Sequence, residues 1–139
     1  MTTNQSDSGP HLQALKLLLA EDNVVNQKVT VALLSRYGHQ VQVAEDGLEA
    51  LRAVETERFD AVLMDVQMPN MDGLEATRAI RGLPDGKGRL PIIALTAGSG
   101  DDDAARCLAA GMDGIVGKPF DTRKFLAVLE QCLQSRRKP

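Results

Sequence analysis

Three acids, a hydroxyl and an ammonium in this 139-residue chain each stand at the end of a short apolar run. Glu21 and Asp22 follow residues 15–20, Asp65 follows 61–64, Thr96 follows 92–95 and Lys118 follows 114–117. Any one of them reads as a helix cap or a solvated loop residue; their joint placement reads as a site. Two ionised carboxylates about 4 Å apart repel by ~4 kcal/mol at an effective dielectric near 20. A small divalent cation relieves that repulsion. Mg²⁺ suits the set, because it binds through a few carboxylate oxygens and keeps several waters, with Mn²⁺ as the alternative ion. No His or Cys accompanies the acids, which argues against zinc.

A carboxylate beside such an ion, with a hydroxyl and an ammonium near, has the parts of a phosphoryl-transfer site. Asp is a competent nucleophile that forms an aspartyl phosphate. The ion and Lys118 would neutralise charge on the phosphoryl oxygens, and Thr96 would hydrogen-bond one of them. Nothing in the chain matches G-x-x-x-x-G-K-[ST] or G-x-G-x-x-G. The phosphoryl donor must then be another protein or a small phosphodonor.

These residues meet only if their strands run parallel. The run Ala61, Val62, Leu63, Met64 is apolar at every position, as in a strand buried on both faces, and Pro69 forces a loop soon after. Asn23 is placed to cap a first helix with Val25, Val29, Ala32 and Leu33 inward, ended by Tyr37-Gly38. Residues 39–44 alternate, Val41 and Val43 against Gln40 and Gln42, which predicts an edge strand. Asp46/Glu49 and Asp72/Glu75 both have capping-box spacing. They open helices with Leu48, Leu51 and Val54, and then Ala76, Ala79, Ile80 and Leu83, facing in.

Residues 83–90 read as a loop and Gly98 to Gly100 as a hinge. Asp101 to Asp103 then open a helix with Ala104, Cys107 and Leu108 inward; the calcium-loop spacing is absent, so they read as macrodipole partners. The final helix starts near Asp121 and carries Phe125, Val128, Leu129 and Cys132 on one stripe. Five strand–helix units in alternation predict a single doubly wound α/β domain with a parallel sheet. In such sheets ligands collect outside the carboxyl ends of the strands, where the five polar residues fall.

Hydrophobic residues make up 43% of the chain and aromatics 3%, so the core is aliphatic. A net charge of −3 argues against a bulk nucleic-acid binder, and Arg136, Arg137 and Lys138 read as cations at a helix C-terminus. No apolar run is long enough for a bilayer, and residues 1–10 lack the apolar region of a signal peptide. Cys107 and Cys132 fall on apolar stripes and read as buried thiols. The expected organisation is a disordered tail over 1–13, in which His11 has no role, one domain over 14–134 and a tail over 135–139. A cytoplasmic location without membrane contact is expected.

Ala20-Glu21-Asp22-Asn23-Val24-Val25-Asn26, the run from Met64 to Gly73, Ala94-Leu95-Thr96-Ala97, Gly111-Met112-Asp113-Gly114 and Lys118-Pro119 together resemble the receiver domain of two-component response regulators. The likeness extends from about Leu15 to Leu133 and is closest to receivers of hybrid sensor histidine kinases and phosphorelays. It implies a flavodoxin-like (βα)5 fold with strand order 2-1-3-4-5 and phosphoryl acceptance by Asp65 from a phosphohistidine. It implies that Asp22, Asp65 and the Gln67 carbonyl bind Mg²⁺ directly, that Glu21 acts through a metal-bound water, and that the Lys118–Pro119 bond is cis. Gln67 and Gly98 take positions that tune phosphoaspartate hydrolysis, and Thr96 and Lys118 positions that report phosphorylation to the face of helix 4, strand 5 and helix 5. That face is also the one through which a homodimer would form.

The family usually carries Tyr or Phe three residues before the lysine, where this chain has Ile115. Isoleucine lacks the rotation and hydroxyl of that switch, which predicts a smaller or different rearrangement, concentrated in Gly98 to Gly100. The resemblance implies a phosphoacceptor, with self-phosphorylation from small donors and autodephosphorylation, and no independent turnover enzyme. The partner is a histidine kinase or histidine phosphotransfer domain. The chain reads as a receiver from a hybrid kinase or a single-domain regulator. Two other readings are a Mg²⁺-dependent aspartyl-phosphate phosphatase, which usually carries D-x-D after its first strand and a cap domain, and a receiver-like interaction module that is never phosphorylated.

Overall fold

The five apolar runs become the strands of one parallel sheet in the computed structural model of the chain. The structure describes residues 14–84, 86–96, 101–117 and 121–137, the side chains of 101–103, 122 and 135–137 excepted. The strands are β1 (Lys16–Ala20), β2 (Gln40–Ala44), β3 (Ala61–Asp65), β4 (Ile92–Thr96) and β5 (Gly114–Gly117). Between and after them run α1 (Val24–Ser35), α2 (Gly47–Thr56), α3 (Gly73–Arg81), α4 (Asp101–Ala110) and α5 (Thr122–Arg137). A single 3-10 turn, Lys87–Arg89, lies within the expected 83–90 loop. The sheet order is β2-β1-β3-β4-β5, the order expected for a flavodoxin-like fold, with the alternating strand at the edge.

Strand alternation divides the apolar residues between two layers. Leu18, Ala20, Val62, Met64, Ile92 and Ala94 meet α2, α3 and α4 on one side. Leu17, Leu19, Leu63, Ile93 and Leu95 meet Leu34 of α1 and Phe125 and Leu129 of α5 on the other. Each fully buried Leu or Ile stabilises the fold by about 1.5–3 kcal/mol. β3 is central and buried along its whole length, so it is a rigid arm whose last residue is Asp65. Both cysteines are buried thiols outside any disulfide, as their stripes predict.

The helix caps form largely as spaced. Asn23 accepts from the Asn26 N–H, and Asp72 and Glu75 complete a reciprocal capping box. At α2 only half of the box forms: Asp46 accepts from the Glu49 N–H, but the Glu49 carboxylate takes the Glu45 N–H at 2.9 Å.

Five inward assignments are overturned. On α1, Val25 is 68% and Val29 49% exposed and Ala32 is exposed too, and Thr30 and Leu34 face the sheet instead. Apolar residues surround this helix, so its phase is set by how β1 delivers it to the sheet rather than by its own pattern. Leu108, at 60% exposure, points away from the core, because Cys107 and Ala110 take the inward row of α4. Leu48 is likewise exposed; α2 packs through the smaller Gly47, Ala50 and Ala53 with Val54. At the C-terminus the helical backbone of α5 continues to Arg137, past residue 134.

Candidate functional site

β1 and β3 are neighbours with Ala20 opposite Met64, so the residues that follow leave the sheet at one edge. This is where the chain order reverses across the sheet, the usual position of a ligand crevice. One carboxylate oxygen from each of Glu21, Asp22 and Asp65 lies within 4.8 Å of the other two. Asp22 is exposed, whereas Glu21 and Asp65 are buried. Glu21 and Asp65 each also accept from the backbone N–H two residues further on. Glu21 Oε2 accepts from the Asn23 N–H at 3.1 Å, and the Glu21 carbonyl accepts from Gln27 Nε2 at 2.6 Å. Asp65 Oδ1 accepts from the Gln67 N–H at 3.1 Å, which draws the Gln67 backbone against the carboxylate.

The loop after Asp65 is equally constrained. The Val66 N–H donates to Leu95 O, and the Gly73 N–H donates back to Val66 O at 2.9 Å. A Cβ on Gly73 would stand 2.2 Å from the Asp65 carbonyl oxygen, so only glycine lets α3 start this close beneath the acid. Thr96 ends β4 at the same edge, one strand over, with Gly117 as its register partner in β5. Ile115, opposite Ala94, packs against the α2–α4 core layer. Lys118, Pro119 with its expected cis bond, and Gly98 lie outside the described residues.

Three carboxylates at this separation fit one small hard cation. Oxygens around an ion with bonds of roughly 2.0–2.1 Å lie about 3–4 Å apart, and neither His nor Cys belongs to the group. A cleft of about 880 Å³ between the α2–β3 connection and the Lys87–Arg89 turn shares no residue with the acids.

A model of the response regulator receiver domain matches residues 17–130. The chain belongs to this family. This receiver domain is 45% identical over 110 residues to the sensor histidine kinase AruS of Pseudomonas aeruginosa, covering 78% of the chain. It is 44% identical over 121 residues to hybrid signal transduction histidine kinase B of Dictyostelium discoideum, covering 80%. It spans only 11% and 6% of those two proteins. Among solved structures, the receiver domain of sensor histidine kinase PA1611 from P. aeruginosa is 42% identical, with a TM-score of 0.79 over 88% of this chain and 99% of that one; it holds a magnesium ion in its active-site cleft. The chemotaxis response regulator CheY4 of Vibrio cholerae is 31% identical, with a TM-score of 0.75 over 89% of this chain and 99% of that one. The protein is therefore a receiver domain of two-component phosphorelay systems, similar to the receivers of hybrid kinases.

Two contacts at and below the site had no local signal. Asn70 Nδ2 donates to Asp46 Oδ2 at 2.7 Å across 24 residues. Far below the acids, Arg81 donates to the carbonyls of Gly88, Leu90 and Gly111 and, at 2.7 Å, to Asp113. That fork ties α3 to the connections that lead into β4 and β5, and the Asp113 carboxylate also takes the Ile92 N–H. Asn70 itself has a positive φ of 66°, a left-handed backbone that Asn tolerates.

Proposed function

We propose that this receiver accepts a phosphoryl group from a phosphohistidine onto Asp65, with Asp22, Asp65 and the Gln67 carbonyl holding Mg²⁺ and Glu21 acting through a bound water. The observation that carries this reading is the convergence of Glu21, Asp22 and Asp65 within 4.8 Å. Their oxygen-only donor set suits Mg²⁺, with Mn²⁺ as a substitute. An Asp65 oxygen attacks phosphorus, the phosphorus–nitrogen bond breaks, and its electron pair returns to the imidazole ring. The bound ion supplies charge neutralisation on the phosphoryl oxygens. Thr96 donates its hydroxyl to one of those oxygens and Lys118 its charge to another.

Gln67 and Gly98 take the family positions that tune hydrolysis of the resulting acyl phosphate by admitting or blocking water. Ile115 replaces the aromatic switch, so the signal that leaves Thr96 is a smaller or different rearrangement, concentrated in Gly98 to Gly100, rather than a ring rotation. The Lys118–Pro119 bond is read as cis. Small phosphodonors serve as well as protein ones, and autodephosphorylation resets the domain without independent turnover.

The partner is the phosphohistidine-bearing helix of a histidine kinase or histidine phosphotransfer domain in the cytoplasm. The exposed valines Val24, Val25 and Val29 of α1, which begins two residues after Asp22, support that contact. The exposed Leu108 supports the face of α4, β5 and α5 as the surface that changes partners or pairs two receivers. Incubation with acetyl phosphate tests the assignment. The parent is expected to gain one phosphoryl group with Mg²⁺ and none after chelation, and Asp65→Ala none in either case. Labelling that survives in Asp65→Ala would overturn it.

A further inference from the structure

Asp46 is a buried carboxylate outside the acidic group, and each of its oxygens has a separate task. Oδ1 accepts from the Glu49 N–H at 2.8 Å and caps α2. Oδ2 accepts from Asn70 Nδ2 at 2.7 Å. The Glu49 N–H first, and the Asn70 amide second, hold the Asp46 carboxyl below its ordinary range, so it is ionised when it grips the loop. Asn70 is the one non-glycine among the described residues at positive φ, 66°, and the Met71 N–H donates to Pro69 O at 2.7 Å across it. That is a γ-turn of the rare, strained hand, which persists only where surrounding structure imposes it.

The α2 N-terminus imposes it twice. Besides the Asp46–Asn70 bond, the Gly47 N–H donates to Met71 O at 2.9 Å, and a Cβ on Gly47 would stand 2.2 Å from that oxygen. The span fixed in this way starts at Asp65, bound to the Gln67 N–H, and closes at Gly73, bound to Val66 O. Its ends are tied to the sheet and its middle to α2.

We infer that Asp46 is a positioning residue for the acidic site: through Asn70 it holds the 66–72 loop so that the Gln67 backbone stays set against Asp65. This rests on the phosphoacceptor reading above, because it concerns how that site keeps its metal-binding geometry. Asp46→Ser separates the two tasks. Serine caps α2 from the same position but offers Asn70 no second oxygen. Asn70→Gly removes the amide from the other side while keeping positive φ accessible.

Calorimetric titration of Mg²⁺ into the full chain, without any phosphodonor, gives the readout. Asp46→Ser and Asn70→Gly are each expected to weaken Mg²⁺ binding roughly tenfold, as supporting residues of metal sites do, and the double variant to be no weaker than the weaker single. A lowered melting temperature with parental Mg²⁺ affinity would mean that Asp46 is only a helix cap and would overturn the inference. So would losses that simply add in the double variant. Failure of the parent itself to bind Mg²⁺ would instead overturn the phosphoacceptor reading beneath it.

Discussion

Replacing Gly73 by alanine tests how tightly the site is built into the sheet. The added Cβ would lie 2.2 Å from the Asp65 carbonyl oxygen, 2.9 Å from Met64 Cγ and 3.0 Å from the Asp65 carbonyl carbon. Ordinary contact begins near 3.4 Å, so strand and helix must part by about 1 Å. Two of the three obstacles are backbone atoms of a fully buried strand, which cannot swing aside as a side chain would. Overpacking of this kind costs about 1–3 kcal/mol. The same retreat stretches the 2.9 Å bond from the Gly73 N–H to Val66 O, worth about 1 kcal/mol.

The expected loss is therefore about 2–4 kcal/mol, or a melting temperature lower by roughly 6–15 °C for a domain of this size. A 1 Å displacement of Asp65 also lowers its phosphorylation rate from acetyl phosphate about 100-fold. Gly82→Ala is the control: the nearest atom to its Cβ is at 3.5 Å and its φ is −85°, so stability holds or rises by up to about 1 kcal/mol. Thermal denaturation followed by circular dichroism gives the comparison. Melting of Gly73→Ala within about 2 °C of the parent would refute the reasoning.

Arg81→Lys cannot reproduce the fork that serves Gly88, Leu90, Gly111 and Asp113, and urea titration should show it destabilised by about 1–3 kcal/mol. His39 is held below its ordinary 6.5, chiefly by burial against an opposing pull from Asp60, and its Nδ1 accepts from the Leu15 N–H. The unfolded chain then binds the proton more readily than the folded one, so this contribution is intact above pH 6.5 and is lost as pH falls below it. Urea midpoints compared at about pH 7.5 and about pH 5.5 should fall for the parent and fall less for His39→Gln, whose side chain does not titrate. Val25→Lys should leave stability within about 0.5 kcal/mol, as the exposed face of α1 requires, while slowing phosphoryl uptake from a phosphorylated phosphotransfer domain but not from acetyl phosphate.

The sheet and its acids were legible because a strand buried on both faces shows as an unbroken apolar run. A carboxylate directly after Ala61, Val62, Leu63 and Met64 therefore marks a strand end without ambiguity. The helices were legible only where one face is apolar. α5 carries Phe125, Leu129 and Cys132 inward as its stripe predicts, while α1, with valines at 24, 25, 29 and 31, offers two faces of similar character. The sheet chose the row of Thr30 and Leu34. Long-range polar contacts left no trace at all. Asp46 was readable as a cap, since its partner is three residues away, but its bond to Asn70 exists only after α2 and the 66–72 loop have met. The Arg81–Asp113 pair, 32 residues apart, is likewise a product of the fold.

The central claim is that Asp65 is the phosphoacceptor, and the direct measurement is to locate the phosphoryl group itself. Phosphorylated protein, reduced with borohydride to trap the acyl phosphate and then digested, should carry its single modified aspartate at position 65, with the yield abolished by chelating Mg²⁺. Modification at Asp22, Glu21 or any other carboxylate while Asp65 remains intact would contradict the account.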